Sequence, residues 1–133
     1  MVFARYVMFS EVYWHHAVRA ATGMLQRAVW LIAERIDPRG MVGTDDAGFA
    51  AWLLAGAAGS AAQPLAAGLF GPVRTLVKRV ATYDAVSHPE LHKALAGRGY
   101  AETVAIAGRL AVRLSSRLGM PVDPATLLID APP

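Results

Sequence analysis

Apolar residues return at three- and four-residue spacing through the opening third of the chain. Tyr6, Phe9, Tyr13, Ala17, Ala20, Met24, Ala28 and Leu31 fall on one stripe of a helix that turns about 100° per residue. With no proline and only Gly23 in residues 2–36, the pattern predicts one long helix there. "DPRGMVG" at 37–43 closes it. "TDDAGFAAWLLAG" opens a second helix capped by Thr44 or Asp45, whose short side chains can accept from the first free backbone N–H groups. A third follows from near Ala61 to Phe70.

The texture then changes. "PVRTLVKRVATYDAV" at 72–86 is rich in Val, Thr and Tyr and predicts a strand. "SHPE" places Glu90 three residues after Ser87, the spacing of a capping box, and predicts a short helix to about Ala96. "GYAETVAIAGRLAVRLSSRLGM" reads as an amphipathic helix with Leu110, Leu114 and Leu118 as its apolar row. Gly119 and Pro121 stop it. "TLLIDAPP" reads as a final short strand paired with the earlier one. The expected fold is mainly α (α+β), with a small two-stranded element. It would comprise a helical segment at 1–71 and a strand-helix-helix-strand segment at 72–133, together one incomplete domain.

Composition changes that picture in two ways. The chain of 133 residues is 55% hydrophobic and 17% charged, against about 25% charged in typical soluble domains. Such a chain carries more apolar surface than it can cover alone, so a second copy or a neighbouring domain is expected. From Ala47 to Val73 no residue is charged. The glycines, Pro64 and Pro72 within that stretch favour two short helices broken near "GSAAQP" over a membrane span, so no membrane partner is expected. There is no cysteine, as in a cytoplasmic protein, and no signal-peptide pattern at the start.

Formal charge is +3, and eleven of the thirteen cations are arginine, the residue best shaped for two-pronged anion binding. Arg5, Val12, His16 and Arg19 fall in one narrow helical sector, with Tyr13 about 80° from Arg5. That face suits a phosphate, or it is merely solvated. His15 and His16 are adjacent, so a single helix cannot aim both at one metal ion. His88 and His92 in "HPELH" lack the order of a zinc-protease helix and read as exposed helix-start residues. Arg109, Arg113 and Arg117 form a row without interleaved aromatics, a weak case for nucleic acid. Arg74, Lys78 and Arg79 are candidates for secondary phosphate contacts.

"ARYVMFSEVYWHHAVRAATGML" resembles the helix that follows the metal-binding core in HD-superfamily phosphohydrolases of the deoxynucleoside triphosphate triphosphohydrolase-like branch, where A-R-Y-x-M…V-Y-x-H-[KR] is usual. "VRTLVKRVATYD", "GYAETVAIAGRLAVRL" and "LLIDAPP" are similar to later parts of those proteins, in the same order. The resemblance implies a metal-dependent phosphohydrolase acting on nucleotides or related phosphate esters. Arg5 would contact a substrate phosphate, Tyr13 would sit at the nucleotide pocket, and His15 would match the family histidine. His16 stands where Lys or Arg is usual, putting an imidazole in place of a permanent cation.

The family's metal ligands, a separated His, a His-Asp pair and a later Asp, lie upstream of this helix, and no His-Asp dipeptide occurs here. The chain is therefore expected to be the C-terminal portion of a larger enzyme, with the divalent metal bound in the intact protein and none in this chain alone. The rival expectation is a non-enzymatic interaction or oligomerisation module.

Overall fold

The computed structural model describes residues 7, 8 and 15–131. The chain divides into two compact units, Met1–Val77 and Lys78–Pro133.

In the first unit, helix α1 spans His16–Ile32. It does not continue the predicted helix through His15, whose ψ of 133° is extended. The His15 ring caps the start instead, with Nδ1 accepting from the Ala17 N–H at 3.3 Å. A side chain that competes for backbone donors favours a helix boundary, and periodicity alone does not register that competition. Of the predicted stripe, Met24 and Ala28 are fully buried, and Ile32 replaces Leu31 beside them. Pro38 holds Asp37 extended, and a 3-10 turn follows at Pro38–Met41.

Helix α2, Asp46–Ala57, starts as expected: Asp45 Oδ1 accepts from the Gly48 N–H at 2.7 Å. Ser60 and Gln63 tie the turn into α3, Gln63–Phe70, through the Ala62 and Gly59 N–H groups. Helix α1 packs on α3, α3 on α2, and the ends of α1 and α2 meet. Their shared core is Met24, Ala28, Ile32, Leu53, Ala57, Leu65 and Ala66. At Gly68 the returning chain passes so close that a Cβ would lie 2.5 Å from the Thr75 carbonyl oxygen. Close passage lets the Thr75 N–H donate to the Gly68 carbonyl at 2.9 Å.

The second unit corrects the strand expectation. No strand occurs among the described residues, so neither 72–86 nor the described part of the terminal "TLLIDAPP" is a strand. β-propensity registers a fit to a pleated, half-buried surface, and residues 78–86 are exposed throughout. Just past the last helix the Val122 N–H donates to Ser115 Oγ at 2.8 Å. Helix α4, Pro89–Leu95, has no side-chain cap, so the expected Ser87–Glu90 box does not form. Asp84 takes over that position: its Oδ1 accepts from the Val86 and Ser87 N–H groups at 3.0 and 2.8 Å.

Helix α5, Tyr100–Leu118, ends at Gly119 in the left-handed region (φ 67°), as expected. At its start Glu102 reaches back to the Gly99 N–H and pairs with Arg98 at 3.3 Å. Its buried row is Thr103, Ala107 and Ala111, not the predicted leucines: Leu110 and Leu118 are exposed.

Candidate functional site

The sequence-predicted site residues fall into three places. Arg5 and Tyr13 lie outside the described residues. His15 and His16 sit together at the start of α1, both exposed, with ring centroids 4.3 Å apart and planes tilted by 35°. One histidine caps the helix and the next is its first residue. Helix α1 begins at His16, so among the described residues only His16 and Arg19 of the predicted sector share its register. Arg74 belongs to the first unit and Lys78 and Arg79 to the second; all three are exposed.

A groove in the first unit was not anticipated. Val18, Ala21, Thr22 and Leu25, one face of α1 at i, i+3, i+4 and i+7, form one wall. Leu69 and Phe70 at the end of α3 form the other, and Arg74 stands on the return segment. The space is about 400 Å³. Phe70 meets Phe49 of α2 edge to face at 6.2 Å, which fixes that wall. The Thr75–Gly68 hydrogen bond holds the backbone next to Arg74. Among the described residues no carboxylate lies within ion-pair distance of Arg74. The signal was present in the spacing of Val18, Ala21, Thr22 and Leu25, but it lies beside the more apolar core stripe and is masked by it.

Arg27 was also missed. It is 3% exposed within the otherwise apolar face of α1, a burial that arginine rarely adopts without a partner. Hydrophobic periodicity scores arginine as a solvent residue, so nothing in the pattern marks it.

His88 and His92 are exposed, as expected. Among the described residues no three His, Asp or Glu side chains converge. Among the described residues no helix is long and apolar enough to cross a membrane.

The family description "HD associated region" matches residues 1–133. The chain belongs to this family. It is thus an HD-domain-related protein, which agrees with the resemblance at its coarser level. No curated protein and no solved structure matches it.

Proposed function

We infer that this HD-associated region is the C-terminal part of a metal-dependent phosphohydrolase of the deoxynucleoside triphosphate triphosphohydrolase-like branch. Its substrates are nucleotides or related phosphate esters. The observation that carries the reading is the family match over all 133 residues. The ordered motifs from "ARYVMF" to "LLIDAPP" support the finer branch.

In this reading the chain supplies the phosphate side of an active site and the metal is held by residues outside it. Arg5 offers two parallel N–H donors to phosphate oxygens, a geometry that adds orientation as well as charge. Tyr13 lies against the nucleotide, and His15 and His16 stand at the same end of the segment. His15 presents its helix cap there, so its Nδ1 is already engaged as an acceptor. Lys78 and Arg79 are secondary contacts.

Metal analysis and phosphate release test the division of labour. The chain alone, chelated and then offered Mn²⁺, Fe²⁺ or Zn²⁺, is expected to retain no tightly held ion and to release no phosphate from nucleoside triphosphates. Joined to a segment carrying the His…His-Asp…Asp ligands, it is expected to do both. One firmly bound ion per isolated chain, with turnover, would overturn the reading.

Self-association belongs to the same proposal. With 55% of the chain hydrophobic, apolar surface remains that a second copy can cover. Light scattering at tens of micromolar is expected to report a dimer or larger; a monodisperse monomer would contradict this part.

A further inference from the structure

We propose that the groove between α1 and α3 is a binding site for a small free amphipathic anion: an oxyanion head on a short apolar body. The proposal goes beyond the phosphohydrolase reading and does not depend on it.

Four observations carry it. The first is size, since about 400 Å³ lies at the small end of the range for ligand pockets. The second is lining. Val18, Ala21, Leu25, Leu69 and Phe70 give an apolar wall, with Thr22 and Arg74 as the polar groups. That mixture suits a ligand that buries a hydrocarbon body and is oriented by few polar contacts.

The third observation is exposure. Val18 and Phe70 are 39% and 38% exposed although each borders a concave surface, so apolar area remains for an occupant to cover. The fourth is charge. Arg74 is the only charged lining residue, and no carboxylate of the described chain neutralises it. An oxyanion complements it through paired N–H donors, and the Thr22 hydroxyl adds one donor more. A cation or a neutral hydrocarbon leaves that charge unmatched.

Helix packing prepares the site. Phe49 holds the Phe70 ring, and the Gly68–Thr75 hydrogen bond sets the backbone beside Arg74. Little ordering is then left for the ligand to impose, which favours affinity from few contacts.

The test is calorimetric titration of the full chain with hexylphosphonate, hexanol and inorganic phosphate. Chemical-shift changes at the methyl groups of Val18, Leu25 and Leu69 locate the binding. Hexylphosphonate is expected to bind at least about tenfold more tightly than either hexanol or phosphate, because only it satisfies both the arginine and the apolar wall. Arg74→Gln should lose about tenfold or more of that affinity, the scale of a charge-assisted contact. Val18→Trp fills the groove from an exposed position, so it should keep the fold and abolish binding.

Hexanol binding as tightly as the phosphonate, or an unchanged affinity in Arg74→Gln, would overturn the anionic assignment. Preference for phosphatidylglycerol vesicles over the free phosphonate would overturn the small-molecule assignment. A shift in oligomeric state on Val18→Trp, with no phosphonate binding to the parent chain, would give the groove to a second copy and sink the proposal.

Discussion

Asp84 shows how much one carboxylate can decide. The Ser87 backbone N–H, its hydroxyl, and then the Val86 N–H hold the Asp84 carboxyl below its usual pKa. A depressed acid stabilises the turn above its ordinary titration range, and the contribution is lost as pH falls through the lowered value. Amide exchange at Val86 and Ser87 is therefore expected to be slow at neutral pH and to lose its protection on acidification below the usual carboxylate range. Asp84→Ala should give fast exchange at every pH; protection that survives in that variant would contradict the assignment.

His15 allows a comparable test on α1. Its imidazole cap is long at 3.3 Å, and Ser or Asp caps better, so His15→Asp should raise stability by up to about 1 kcal/mol in thermal unfolding. A loss of stability would show that the imidazole does more than cap. Capping chemistry was legible where one residue controls it, as at Asp45. It was not legible at residues 84–88, where an aspartate three positions upstream of Ser87 captured the donors.

At the scale of elements, the periodic signal found the helices and, on α5, misjudged which face is buried. On α5 both the leucine row and the Thr103–Ala107–Ala111 row have helical spacing, and hydrophobicity favours the leucines. The structure buries the small row and leaves Leu110 and Leu118 exposed. Ala107→Leu is accordingly expected to cost about 1–3 kcal/mol by overpacking. Leu110→Ala should stay within about 0.5–1 kcal/mol, since that side chain is already 40% exposed. Denaturant midpoints of the two variants check the order, and a reversal would restore the leucines as the buried face.

The two strands failed for a related reason. Val- and Thr-rich composition describes a surface that would suit pairing, but no partner strand is present among the described residues. Gly68→Ala probes the tightest approach in the first unit. The new methyl would meet the Thr75 carbonyl oxygen, so a loss of about 1–3 kcal/mol is expected, together with displacement of Arg74 from the groove. Unchanged stability would mean that the return segment does not lie against α3.

For the whole molecule, the apolar excess and the arginine bias were legible in composition, and the family was legible in the order of motifs. The groove and buried Arg27 were not, because each arises only when helices are brought together. The central claim is that residues at the start of this chain hold substrate phosphate. The most direct measurement is phosphate release from nucleoside triphosphates by the chain joined to a segment carrying the His…His-Asp…Asp ligands, comparing Arg5→Ala with Arg109→Ala. Arg109 lies exposed on α5, and its loss should change the rate by no more than about twofold. Loss of Arg5 should reduce turnover about ten- to a hundredfold, with Arg5→Lys restoring part of it, since lysine keeps the charge and loses the fork. Equal rates in the two alanine variants, both folded by circular dichroism, would contradict the account.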